Sequence, residues 1–87
     1  RREAELRTQT RPLRKEITRL EKEMEKLNAT LAAVEEKLGD SELYDQSRKA
    51  ELTDCLQTQA KTKSSLEECE MAWLDAQEQL EAMLQAD

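Results

Sequence analysis

The first half of the chain carries a repeating seam at Leu6, Thr10, Leu13, Ile17, Leu20, Met24, Leu27, Leu31, Val34 and Leu38, with gaps that alternate four and three. A period of 3.5 residues holds such a stripe on one face of a slightly underwound helix, and the stripe must then be covered by a partner helix. Leu6, Leu13, Leu20, Leu27 and Val34 take d positions, and Thr10, Ile17, Met24, Leu31 and Leu38 take a. A second stripe with the same alternation follows at Leu52, Cys55, Gln59, Thr62, Leu66, Cys69, Trp73, Ala76, Leu80 and Met83. Gln59 and Thr62 make its centre polar, which predicts a less tightly held middle and a contribution to register at some cost in stability.

The only glycine, Gly39, stands directly after the last residue of the first seam, where a left-handed cap would end the helix without steric strain. Asp40 and Ser41 follow as turn and capping residues, and Leu43 and Tyr44 supply an apolar plug for the end of the seam. A connection this short between two long helices favours antiparallel neighbours. The predicted fold is therefore all-α, an antiparallel two-helix coiled-coil hairpin over residues 12–87, with helix 12–38, tip 39–47 and helix 48–85. Pro12 marks a kink or a helix start, since its ring clashes with the carbonyl of Thr8 and its nitrogen has no hydrogen to donate. Residues 1–11 are then a lead-in linker segment.

Two alignments of the seams are open, in which the numbers of facing residues sum to 86 or to 93. Charge selects the first: it sets Arg14 near Glu70, Glu21 near Lys63, Lys37 near Glu51, and places Leu13 against Trp73. The second sets Glu21 beside Glu70.

With 14 Lys and Arg, 20 Asp and Glu, two aromatics and no histidine in 87 residues, the chain has no material for an ordinary globular core. It also offers no catalytic constellation: there is no phosphate-binding glycine loop and no nucleophile beside a base. Two cysteines, Cys55 and Cys69, lie about 21 Å apart along one helix, out of disulfide reach, and without histidine or a CxxC pair they cannot complete a zinc site. No catalytic, cofactor-binding or metal-binding residue is expected. The longest apolar run, Leu31 to Val34, is far too short to span a bilayer. The absence of an initiator Met suggests a fragment of a larger protein, with a cytoplasmic origin as the default expectation.

Charge is unevenly placed: residues 1–19 hold seven basic and three acidic side chains, whereas residues 64–87 hold seven acidic and none basic. Part of this is complementarity between the helices. Beyond it, Arg11, Lys15, Arg19, Lys22 and Lys26 occupy outer positions and make a basic stripe that is either a solvated helix face or a surface following a nucleic-acid backbone, salt-sensitive and weak in sequence preference. Met71 and Leu74 are apolar at outer positions of the second helix. They either dock another protein surface or mark a local change of phase that turns Leu74 inward in place of Ala76.

Several of these features coincide: Pro12-Leu13, the seam from Ile17 to Leu38, the tip Leu38-Gly39-Asp40-Ser41-Glu42-Leu43-Tyr44, and Trp73 near the end. Together they resemble the C-terminal domain of ABC-F ATPases, of the Uup type, across essentially the whole chain; Ser41 stands where that family's tip often has Pro. The resemblance implies a parent with two ATP-binding cassettes and no transmembrane domain, associated with the ribosome and translation. ATP and Mg would be bound upstream of this chain. It implies a non-catalytic arm contacting nucleic acid, either DNA or ribosomal RNA, through the basic stripe. The alternative is a structural hairpin that docks on the parent's own ATPase domains through Met71, Leu74 and the acidic second helix. As an isolated fragment the hairpin is expected to be monomeric, with a mass near 10 kDa; seams pairing between chains would raise it.

Overall fold

The computed structural model describes residues 2–86. Two long helices account for most of them: α1, Arg2–Leu38, and α2, Lys49–Gln85, joined by two short 3-10 turns, Ser41–Tyr44 and Gln46–Arg48. Among the described residues there is no strand. The architecture is the expected all-α, antiparallel coiled-coil hairpin. It is organised as two units, one pairing α1 up to Met24 with α2 from Glu68, here the terminal unit, and one comprising Glu25–Glu67, here the tip unit.

In both units the seam residues supply most of the buried and half-buried positions, joined by Leu43 of the tip. In the terminal unit Thr10, Ile17, Leu20 and Ala76 are buried, with Leu6, Leu13, Met24, Cys69, Trp73, Leu80 and Met83 half-buried. In the tip unit Val34, Leu43, Cys55, Thr62 and Leu66 are buried, flanked by half-buried Leu27, Leu31, Leu38, Leu52 and Gln59. Leu43 is 1% exposed and packs with Val34 and Cys55, covered by Leu31, Leu38 and Leu52. It is half of the plug expected of the tip; the other half, Tyr44, is 56% exposed. Each fully buried aliphatic side chain contributes roughly 1.5–3 kcal/mol before conformational entropy is charged against it.

The register differs from the expected one. In the terminal unit Trp73 Nε1 donates to Glu21 at 3.2 Å, and in the tip unit Gln59 Nε2 donates to Glu35 at 3.2 Å. Each pair of residue numbers sums to 94, one from the alignment that charge had disfavoured. The ion pairs argued for the other alignment find different partners. Arg14 donates to the backbone carbonyl of Arg7, Lys63 lies 3.9 Å from Glu35, and Glu51 is held by Arg48, although Lys37, its expected neighbour, also helps to hold its carboxyl below the usual range. The physical reason is that these charged groups are exposed, where ion pairs contribute about 0–1 kcal/mol and cannot dictate a seam. Buried Leu43 and the reach of the Trp73 indole weigh more. Trp73 accordingly meets Glu21, where Leu13 was the expected neighbour.

Neither is Pro12 a helix start. α1 runs through it from Arg2, so residues 2–11 form the first turns of α1 in place of a separate lead-in. Pro12 still withdraws the donor that Thr8's carbonyl would use. In the same turn, Arg7's carbonyl accepts from Thr10 Oγ1 at 3.3 Å and from Arg14 Nη2 at 2.8 Å.

The turn at the tip is set by side chains, without the left-handed glycine. Gly39 does not adopt positive φ; its N–H donates to the carbonyls of Glu35 and Glu36 at 3.0 and 3.2 Å and closes the last turn of α1. The chain leaves the helix at Asp40, which is extended (φ −83°, ψ 115°) and accepts from the Glu42 N–H at 3.0 Å. Tyr44 Oη donates to the Leu38 carbonyl at 2.6 Å, satisfying one of the orphan acceptors at the helix end. A Cβ on Gly39 would come no closer than 3.4 Å to any atom. Gly39→Ala is therefore expected to leave stability unchanged or raise it by about 0.4–1 kcal/mol through the unfolded state. A urea titration showing a loss above that range would contradict this account of the turn.

Candidate nucleic-acid interface

The inward stripe of α1 fixes what faces outward. Because the seam residues are turned to α2, Arg11, Lys15, Arg19 and Lys22 in the terminal unit are all exposed, and Lys26 in the tip unit is exposed as well. At 100° per residue, Arg11, Lys15 and Lys22 lie within an arc of about 40° on the helix surface. Arg7, one turn before Arg11, extends this row and is also exposed. The sequence reading missed Arg7, although its spacing of four from Arg11 was visible. The acidic residues of α1 up to Met24 all project outside the arc that runs from Arg7 to Lys15.

The five expected residues are not equivalent. Arg19 donates from Nε and Nη2 to the two carboxylate oxygens of Glu16, at 3.1 and 2.5 Å. The hydrogen bond from Arg19 holds the Glu16 carboxyl below its usual range, and the reciprocal bond raises the Arg19 guanidinium. Arg19 is thus largely neutralised on its own helix, whereas Arg7, Arg11, Lys15 and Lys22 have no carboxylate partner among the described residues. The hydroxyls beside this face are also engaged internally: Thr8 Oγ1 donates to the Ala4 carbonyl and Thr18 Oγ1 to the Arg14 carbonyl, both at 3.0 Å. What the face offers a ligand is cationic charge, with few neutral donors and no aromatic surface.

On α2, Met71 and Leu74 are 73% and 54% exposed, while Ala76 is 5% exposed. The helix keeps its phase, and the alternative in which Leu74 turns inward does not occur. Cys55 is buried and Cys69 half-buried, and neither is in a disulfide. No group of three His, Cys, Asp or Glu side chains among the described residues could hold a metal ion. No described helix is long and apolar enough to cross a membrane.

Comparison with known proteins agrees with this architecture. Residues 8–78 match the family described as the ABC transporter C-terminal domain. The chain is 84% identical over 84 residues to the probable ATP-binding protein YheS of Escherichia coli K12, an alignment covering 97% of this chain and 13% of that protein. The protein of the same name from Haemophilus influenzae is 52% identical over 47 residues, covering 54% of this chain and 7% of its own length. The chain thus spans 13% of the length of the Escherichia coli relative. No solved structure matches it. With its paired seams, Pro12, the Asp40–Tyr44 tip and Trp73 in place, the chain belongs to the ABC transporter C-terminal domain family, the coiled-coil C-terminal domain of ABC-F ATP-binding proteins.

Proposed function

We propose that this domain is a non-catalytic arm of a cytoplasmic ABC-F ATPase, and that it contacts nucleic acid, DNA or ribosomal RNA on the ribosome, through the outer face of α1. The observation that carries the reading is the row Arg7, Arg11, Lys15 and Lys22, exposed and without carboxylate partners on a helix whose other face is committed to the seam. ATP and Mg would be handled by cassettes elsewhere in the parent, because this chain has one glycine and no phosphate-binding loop. Backbone charge is what the row can read. Phosphates would be held by simple ion pairing, with little discrimination among sequences, since nothing aromatic lies beside the row for base stacking.

Titrating the 87-residue chain with a DNA duplex, an RNA hairpin and ribosomes at several salt concentrations tests the reading. Four cations imply a slope of log K against log salt of about −3 to −4 on duplex DNA. Binding that is flat in salt would reject it. In the same assay Glu16→Gln, which releases Arg19, is expected to tighten binding roughly three- to tenfold at 0.1 M salt and to steepen the slope by about one. No change in either quantity would remove Arg19 from the interface.

A further inference from the structure

A second surface, on the other helix of the terminal unit, has the opposite chemistry. Met71 and Leu74 stand one turn apart, 73% and 54% exposed, on a continuous stretch of α2. Within this unit Glu70 and Glu78 stand one turn before and one turn after Leu74, and Asp75 stands one turn after Met71. All three are exposed. Glu70 and Glu78 make no ion pair among the described residues, and Asp75 accepts only from Gln79, at 2.8 Å. Residues 64–87 contain no basic side chain that could answer them.

We propose that this face docks a basic amphipathic helix of a protein partner, one that presents two apolar side chains a turn apart with Lys or Arg on either side. Isolated exposed apolar residues are ordinary, but an adjacent pair framed by three exposed carboxylates that no cation answers is complementary to a particular kind of surface. The carboxylates repel nucleic acid and anionic lipid, so the face is distinct in its ligand from the basic row of α1. A second copy of this chain does not fit either. Its basic row, Arg7 to Lys22, has Thr8 and Thr18 between the cations and no large apolar side chain to cover Met71 and Leu74.

The test is a titration of the 87-residue chain with a synthetic amphipathic helical peptide of Leu, Ala and Lys, followed by methyl NMR. The expected result is that the largest shifts fall on the methyls of Met71 and Leu74. The double variant Met71→Ser with Leu74→Ser should bind at least about tenfold more weakly, with unchanged helicity by circular dichroism because both side chains are outside the seam. Shifts centred elsewhere on α2, or equal affinity of the double variant, would overturn the proposal. So would equal binding of a peptide in which Glu replaces Lys, since the carboxylate frame would then play no part. Concentration-dependent shifts at Met71 without any peptide would assign the face to a second copy and overturn it equally.

Discussion

Leu43→Ala is expected to lower the melting temperature of the chain by about 10 °C or more. The side chain is 1% exposed and lies between Val34 and Cys55, with Leu31, Leu38 and Leu52 around it. Removing three carbons there leaves a void that Asp40 and Tyr44 cannot collapse into, because both are already tied, one to the Glu42 N–H and the other to the Leu38 carbonyl. Such truncations cost about 2–5 kcal/mol. For a domain of this size that is a large share of the whole stability, and each kilocalorie moves the midpoint by about 4–8 °C. Leu56→Ala supplies the control, since Leu56 is 48% exposed and its loss should cost less than about 0.5 kcal/mol. A melt in which the two variants behave alike would mean that Leu43 does not close the seam.

The triple variant Arg11→Glu, Lys15→Glu, Lys22→Glu is expected to lose nucleic-acid affinity roughly 100- to 1,000-fold at 0.1 M salt. Each phosphate contact on duplex DNA contributes about 0.9 to the salt slope, so removing three is close to three orders of magnitude at that concentration relative to 1 M. Reversal of sign adds repulsion to the loss. The fold should be indifferent to the change. All three side chains are exposed, and none takes part in a hydrogen bond or ion pair among the described residues. Unfolding midpoints within about 0.5 kcal/mol of the parent are therefore expected alongside the binding loss. Undiminished affinity with intact helicity would move the interface off this face of α1.

The seam was legible residue by residue because periodicity is a property of the sequence itself: Ile17, Leu20, Val34, Cys55, Leu66 and Ala76 are buried where the alternation of three and four puts them. The polar members followed the same rule, with Thr10 and Thr62 buried at 1% and 6% exposure. Register was not legible in the same way. It had been argued from Arg14, Lys63 and Glu51, long exposed side chains with several partners in reach: Arg14 and Glu51 bond to residues close by in the chain, Arg7 and Arg48, and Lys63 lies 3.9 Å from Glu35 on the other helix. The information that fixes it lies in contacts of shorter reach, such as Trp73 with Glu21, which depend on indole orientation and leave no trace in a heptad pattern. Gly39 misled for a related reason. Its position after the last seam residue is what a left-handed cap requires, but Asp40 can make the same turn from the extended region and Gly39 remains helical in its bonding.

Of the outer residues, sequence alone placed Arg11, Lys15, Lys22 and Lys26 on the surface correctly and treated Arg19 as their equal. The difference is Glu16, three residues earlier, whose carboxylate takes both faces of the guanidinium fork. A count of positive side chains cannot see such a pairing, because it depends on rotamers chosen after the helix has formed. Arg7 was passed over although it stands four residues before Arg11, on the same face of the helix.

The Arg14 guanidinium, bound to the Arg7 carbonyl two turns back, couples two properties that are usually adjusted separately. Replacing Pro12 by alanine would return a backbone donor to the Thr8 carbonyl, the acceptor next to the one that Arg14 serves. With the backbone bonds of that turn complete, the Arg14 guanidinium would be freer to leave the Arg7 carbonyl and add a mobile cation to the helix surface. A substitution at position 12 therefore bears on backbone bonding and surface charge together, and any set of variants there has to be read for both.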